Sequence, residues 1–201
     1  MRIVSTALRT APLAFGLEQA SAVEQALAAR ARAGDSNAFR VIFERHAPAV
    51  RRFLYDLLRS DDAADEGTQE TFVRAHRRLS SLREDEKLRP WLFGIARHVF
   101  HETLRARRPR PLVSSDPPPV PSPETLLMGH EADRVLADAL SHLTEERRAA
   151  LLLRIDHGLD YEEIRAIMGW SLPKVKNEIH RARLELRVRL EKYVGGRDGK
   201  L

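Results

Sequence analysis

Residues 160–183 read DYEEIRAIMGWSLPKVKNEIHRAR, and two helices joined by a tight turn follow from that string. Asp160 can accept from first-turn backbone N–H groups while Glu163 reaches back to the N–H of Asp160, a reciprocal cap that starts a helix. Ile164, Ile167 and Met168 supply its inner face. Gly169 and Trp170 form the turn, and Ser171 caps the next helix. There Leu172, Val175, Ile179, Ala182, Leu186 and Leu190 recur at about 100° per residue and define a buried side. Pro173, Lys174, Asn177, His180 and Arg181 therefore stand opposite. These side chains suit a DNA major groove, because Lys and Arg donate to guanine, Asn bridges adenine, and the helix N-terminus favours phosphate. A merely solvated basic face is the plainer alternative. The capped helix, the short glycine turn and the polar N-terminal half occurring together favour the DNA reading.

Working outward, Thr144 can cap a helix running to Ile155 with Gly158 ending it, Val135 to Leu143 forms another before it, and the paired helices after Asp160 are expected to be shorter. Further upstream, seven of the eleven prolines fall between Pro109 and Pro123. Such a segment forms neither helix nor central strand, which makes it a linker. The spacing thus predicts an all-α chain of two small helical domains, 23–108 and 131–194, joined by a flexible Pro-rich linker at 109–130. An N-terminal extension (1–22), whose opening stretch Met1 to Leu17 is read as frayed, and a tail (195–201) flank them. In the first domain a helix starts near Asp35 and Ser36 and carries Phe39, Ile42, Phe43, Val50, Phe53, Leu54 and Leu57 on one face. A second carries Phe72, Val73 and Leu79. A loop follows to Arg89, and Pro90 sits in the first turn of a third helix.

That third helix buries Trp91, Leu92, Phe93, Ile95, Ala96, Val99, Phe100 and Leu104 over a wide arc and leaves Gly94, Arg97, His98, His101, Arg105 and Arg108 opposite. Arg97, His98, His101 and Arg105 are the candidate nucleic-acid contacts here. Gly94 permits close approach of a strand, or else serves packing, although glycine costs about 1 kcal/mol in a helix. The loop 80–88, with its short polar residues and Leu82, can receive a flipped base. His98, His101 and Glu102 have the spacing of metal ligands, but Arg97, Arg105, Arg107 and Arg108 repel a cation and no fourth ligand is evident, so no metal and no cofactor is expected. The stretch Asp61, Asp62, Asp65, Glu66, Gln69, Glu70 has the opposite character: its carboxylates disfavour DNA and suit a basic protein surface. Asp61 and Asp62 are also accounted for by the helix macrodipole. Asp65, Glu66, Gln69 and Glu70 are the candidate protein-docking residues.

Composition agrees without deciding. The 201 residues carry 34 Lys and Arg against 29 Asp and Glu, and Arg dominates the cations, which favours a phosphate-bearing partner. Without cysteine there is no disulfide, thiolate metal site or cysteine catalysis, and the cytoplasm is the expected compartment. Arg9 and Thr10 interrupt the apolar core a signal peptide needs, and no apolar run approaches the roughly 18 residues of a membrane span. No nucleophile with base and orienting acid, and no phosphate-cradling glycine loop, points to an enzyme.

Four stretches together resemble the extracytoplasmic-function sigma factor family. They are Ala33-Gly34-Asp35 through Phe39 to His46-Ala47-Pro48; Gln69-Glu70-Thr71-Phe72 to Ala75; Trp91 to Arg97; and Leu151 to Arg154 through Tyr161-Glu162-Glu163-Ile164 to Val175-Lys176 and His180 to Arg183. Their order is similar to the family's regions two and four. The resemblance implies that the first domain binds the clamp of the largest subunit of core RNA polymerase and opens the minus-ten element of promoter DNA. It implies that the second domain reads the minus-thirty-five element, that the linker threads toward the RNA exit path, and that an inhibitory anti-sigma protein is a further partner. Gly67, Gly94 and His98 depart from the family's usual apolar residue, Arg and Asn; Pro173, Lys174 and Glu178 from its usual Gly, Thr and Arg. The promoter sequence is therefore not carried over. The competing reading is a two-domain helix-turn-helix regulator that binds operator DNA without polymerase, against which the acidic and cationic helices of the first domain speak.

Overall fold

A computed structural model describes residues 11–107 and 130–195, and among them every regular element is helical. The first unit comprises α1 (Ala11–Arg32), α2 (Ser36–Leu58), α3 (Asp61–Arg78) and α4 (Leu88–Arg107), with two short 3-10 turns, Leu79–Ser81 and Asp85–Lys87, between α3 and α4. The second comprises α5 (His130–Ser141), α6 (Glu145–Ile155), α7 (Tyr161–Met168) and α8 (Leu172–Gly195). Two expectations need correction. The first helix begins at Ala11, inside the segment read as a frayed extension, because Leu27, Ala28 and Ala31 bury against the first unit and anchor a long helix. The last helix, expected to be short, runs 24 residues, its inner face being fixed by Val175, Ile179, Ala182 and Leu186 over successive turns. Pro90 lies in the first turn of α4 as expected. Almost all of the expected linker lies outside the described residues.

Local chemistry sets the helix ends. The Asp35 carboxylate accepts from the Ala38 N–H at 3.1 Å and opens α2; Arg59, with φ 55°, closes it by donating its N–H to the Tyr55 carbonyl at 2.7 Å. Ser60 then caps α3. Ile42, Phe53 and Leu54 of α2 and Leu92, Phe93 and Phe100 of α4 are fully enclosed. Each such side chain stabilises by roughly 1.5–3 kcal/mol on burial. Gly67 lets α3 approach α2 closely: a Cβ there would lie 3.1 Å from Leu54 Cδ1.

In the second unit Leu151, Leu152, Leu153, Ile164, Val175 and Ile179 form the centre. The wide apolar arc on α4 is explained by its being packed on two sides, against α2 and α3 inside the first unit and against α7 of the second. The units also meet through α2 and α6, so one apolar core runs through both. At the junction the His157 imidazole, only 3% exposed, packs against two touching rings of the first unit, 4.5 Å from the Phe93 centroid and 5.7 Å from that of Phe53, which themselves lie 5.4 Å apart. Polar ties surround it. Arg148 donates to the Leu57 carbonyl at 3.2 Å, Arg52 pairs with Asp156 at 3.1 Å, and Arg89 donates to the His157 carbonyl.

This junction makes association of the units pH-dependent. Burial pushes the His157 imidazole down to about 4; nearby Asp156 pulls it up, and Arg89 and Arg52 push it further down. A free imidazole titrates near ~6.5, so the closed arrangement is fully stable above that value and loses stability as the pH falls toward about 4, because only the released imidazole takes up a proton. His101 shifts downward too, through burial and then Arg97. Asp56, raised by burial and by Asp156, acts in the opposite direction. We therefore predict that lowering the pH from about 7.5 to about 5 destabilises the closed chain by roughly 2 kcal/mol through His157. Urea midpoints of wild type and His157→Gln at both pH values check this. The same pH dependence in both chains would remove His157 as its source.

Candidate nucleic-acid interface

The α7–turn–α8 pair is built as its capping chemistry requires. The Asp160 carboxylate accepts from the Glu163 N–H at 2.8 Å, and the Glu163 carboxylate accepts from the Asp160 N–H at 2.7 Å. Gly169 ends α7 at φ 66°, a left-handed conformation that costs a glycine little. The Trp170 N–H then returns to the Arg165 carbonyl at 3.2 Å, and the Ser171 carbonyl accepts from the Val175 N–H at 3.0 Å, the bond that opens α8. Lys174, Asn177, His180 and Arg181 all emerge exposed along one side of α8. The Lys174 ammonium lies 4.6 Å from the centroid of the Trp170 ring, a cation–π contact that holds it near the helix N-terminus.

A group absent from the sequence reading fixes the pitch of this helix. Arg147 of α6 donates to Glu178 at 2.8 Å and also pairs with Glu185, binding α8 to α6 across two turns. Glu178 in turn stands 3.5 Å from Arg181. Glu178 and Glu185, seven apart on a largely basic helix, were the available signal, and their partner lies 31 and 38 positions away.

The α4 face is less open than its periodicity suggests. His98 is exposed, with Nε2 3.0 Å from Glu102, and Arg105 is exposed. Arg97 and His101 are half-buried beneath the second unit. One terminal nitrogen of Arg97 lies 2.8 Å from both carboxylate oxygens of Glu146, and the other donates to the Ile167 carbonyl at 3.3 Å. His101 Nε2 is 3.1 Å from Glu146 Oε1. A Cβ at Gly94 would meet nothing within 4 Å, so packing does not require this glycine. Beside it opens a cavity of about 660 Å³ between α4, the loop after α3, and α7, lined among others by Leu82, Lys87, Trp91, His98 and Glu163.

The acidic helix α3 divides its carboxylates. Asp61 and Asp65 hold Arg51 of α2, while Glu70 holds Arg74, which reaches on to Glu102 of α4 at 2.6 Å. The paired Arg74 keeps the Glu102 carboxyl below the usual carboxylate range. Glu66 and Gln69 are exposed. Among the residues described, no group of His, Asp and Glu could hold a metal, and no helix is long and apolar enough to cross a membrane.

Comparison with known proteins bears on both units. Residues 42–110 match the model of sigma-70 region 2, and residues 133–186 match that of sigma-70 region 4. The chain is 30% identical to the ECF RNA polymerase sigma-E factor of Haemophilus influenzae over 173 residues, 80% of this chain and 91% of that protein. It is 32% identical to the protein of the same description from Salmonella typhimurium over 174 residues, covering 80% and 90%. Among solved structures it is similar to CnrH in complex with the cytosolic domain of CnrY, with a TM-score of 0.66, 26% identity, and 85% and 98% of the two chains covered. It is also similar to the sigma factor RpoE in complex with the anti-sigma factor NepR from Bartonella quintana, with a TM-score of 0.62, 26% identity, and 76% and 96% covered.

Proposed function

This chain belongs to the extracytoplasmic-function sigma factors of RNA polymerase, and on that premise we propose how its helices divide the work. As a sigma factor it binds core RNA polymerase and directs it to promoters. In this division α8 reads the minus-thirty-five element through Lys174, Asn177, His180 and Arg181. The face of α4 bearing Arg97, His98, His101 and Arg105 meets the minus-ten element, with the cavity beside Leu82 and Gly94 receiving an unpaired base. The exposed side of α3, with Glu66 and Gln69 foremost and Asp65 and Glu70 beside them, docks on a basic surface of the polymerase clamp. The boundary between the units falls in the Pro-rich segment 109–130. No bond is made or broken by the chain itself; its place of action is the cytoplasm, with the polymerase. Arrangement of the capped α7–turn–α8 pair, with one exposed polar side on α8, is the observation that carries the assignment.

An inhibitory protein partner fits the same picture, since two of the similar structures are of complexes and one names an anti-sigma factor. The apolar groove between α6 and α8, lined by Leu151, Ile155, Leu186 and Leu190, offers such a partner an apolar seat.

Run-off transcription on genomic fragments tests the function as a whole. Core polymerase with this chain is expected to start at a defined set of promoters that core alone does not use, and an unchanged pattern would refute it. For docking, Glu66→Lys is the cleanest variant, because it reverses an exposed charge, whereas reversal at Glu70 would also disturb Arg74 and Glu102. It is expected to weaken assembly with core by about tenfold, roughly 1.4 kcal/mol, with thermal stability unchanged. Anisotropy titration against core reads the affinity, and equal affinities would show that this face points elsewhere.

For promoter reading, the two sides of α8 separate by kind of contact. Asn177→Ala is expected to relax selectivity at one or two base pairs by about 1–3 kcal/mol. Arg181→Ala is expected to lower activity across promoters and to flatten the salt dependence by about one counterion. A randomised minus-thirty-five library transcribed by wild-type and variant holoenzymes distinguishes them. Identical selected sequences from wild type and Asn177→Ala would remove that residue from the readers.

A further inference from the structure

The brace between α6 and α8 bears on DNA as well as on packing. Glu178 lies between two residues assigned to the minus-thirty-five element: Lys174 is four positions before it and Arg181 three after, the spacings at which side chains on a helix are neighbours. One carboxylate oxygen of Glu178 accepts from Arg147 Nε at 2.8 Å, while the other stands 3.5 Å from a terminal nitrogen of Arg181. The Arg147 and Glu178 side chains are each only 18% exposed, whereas that of Arg181 is 63% exposed. Glu178 thus has one guanidinium on its inner side and another on its outer side.

Left uncompensated, this carboxylate works against DNA in two ways. It repels approaching phosphates, and it competes with them for Arg181, because both acceptors need the same donors. Lys174 is held elsewhere, its ammonium 4.6 Å from the centroid of the Trp170 ring. The compensating charge comes from outside α8. Arg147 lies in the first turn of α6, and while its Nε serves Glu178, a terminal nitrogen serves Glu185 two turns further along α8.

We propose that Arg147 is a positioning residue for the minus-thirty-five contact: by neutralising Glu178 from the α6 side, it leaves the guanidinium of Arg181 free for the DNA backbone without itself touching DNA. The inference rests on the assignment of α8 to that element and adds the residue that keeps its cation available. Without the charge of Arg147, Glu178 closes the 3.5 Å gap to Arg181, and α8 loses one phosphate contact. Charge cancellation and mechanical bracing make different demands on position 147. Arg147→Lys still cancels the charge of Glu178, but a single ammonium has no planar fork with which to hold Glu178 and Glu185 together.

The test uses holoenzyme reconstituted from core polymerase and the full chain, with a fluorescein-labelled duplex promoter drawn from those that wild-type holoenzyme transcribes. Arg147→Met keeps an apolar stem and removes the charge. It is expected to bind the promoter about fivefold more weakly than wild type and to flatten the salt dependence by about one counterion, as Arg181→Ala does. Adding Arg181→Ala to Arg147→Met is expected to cost less than about twofold more, because the contact is already lost. Combining Arg147→Met with Glu178→Gln removes the carboxylate together with the need to neutralise it. Affinity and salt slope are then expected to return to within about twofold of wild type, and Arg147→Lys is expected to stay within the same limit. Loss of a brace alone gives the reverse pattern, since neither of these variants ties two carboxylates of α8 to α6. Wild-type affinity in Arg147→Met, or a double variant no better than Arg147→Met, overturns the proposal. Should Arg147→Met alone fail to fold, the double variant and Arg147→Lys carry the test, and a fivefold loss in both overturns it. Arg181→Ala in the otherwise wild-type chain separates the two levels. An unchanged salt slope there overturns the assignment of Arg181 to DNA and the proposal with it, whereas a flattened slope alongside a silent Arg147→Met overturns the positioning role alone.

Discussion

An imidazole seated against the paired rings of Phe53 and Phe93 marks where the two halves of this molecule meet. His157 comes from the turn after α6, so its insertion brings the N-terminal end of α7 over α4 and the body of α6 against the end of α2. Once it is seated, Arg148 reaches Leu57, Arg52 reaches Asp156 and Arg97 reaches Glu146. Each of these contacts joins residues that the chain separates by 49 or more positions, so all of them report the same docking of the two units. A histidine differs here from a third phenylalanine in one respect: its stability against the two rings depends on remaining neutral, which makes the joint responsive to pH where a purely apolar side chain would not be.

Charge is distributed by the same logic. The chain carries a net excess of +5, yet its cationic surfaces are covered or braced by carboxylates of its own. Arg51 is flanked by Asp61 and Asp65, Arg74 by Glu70 and Glu102, Arg147 by Glu178 and Glu185, and Arg97 by Glu146. Guanidinium groups recur at the centre because a planar fork can serve two acceptors at once and tie two helices together. On the surfaces assigned to DNA, His98 and Arg181 each have one such carboxylate, Glu102 and Glu178, yet both remain exposed to solvent.

Much of this was legible from sequence because it is encoded locally. The Asp160–Glu163 cap, the Gly169 turn and the buried stripe from Val175 to Leu186 depend only on neighbours within a few residues, and each stands where its spacing implied. The breadth of the apolar arc on α4 was legible as well, but not its meaning. A strip so wide signals burial from two directions, and nothing in the string says that the second direction is another unit. The length of α8 was misjudged although its stripe from Leu172 to Leu190 already spans most of the observed helix, because a helix-turn-helix needs only its first turns. Glu146 was invisible for a different reason. A glutamate in a first helical turn is fully explained by the helix dipole, so nothing prompted a search for Arg97 as its partner.

The close approach at Gly67 carries a consequence for how such a chain changes over generations. The space a side chain would fill at 67 is occupied by a methyl of Leu54 at 3.1 Å from where a Cβ would stand. The two positions divide one small volume between helices α2 and α3, and a gain on one side requires a loss on the other. The two positions are therefore expected to vary together: an alanine at 67 asks the Leu54 side chain to give by a few tenths of an ångström, and a larger residue there asks for a smaller one at 54.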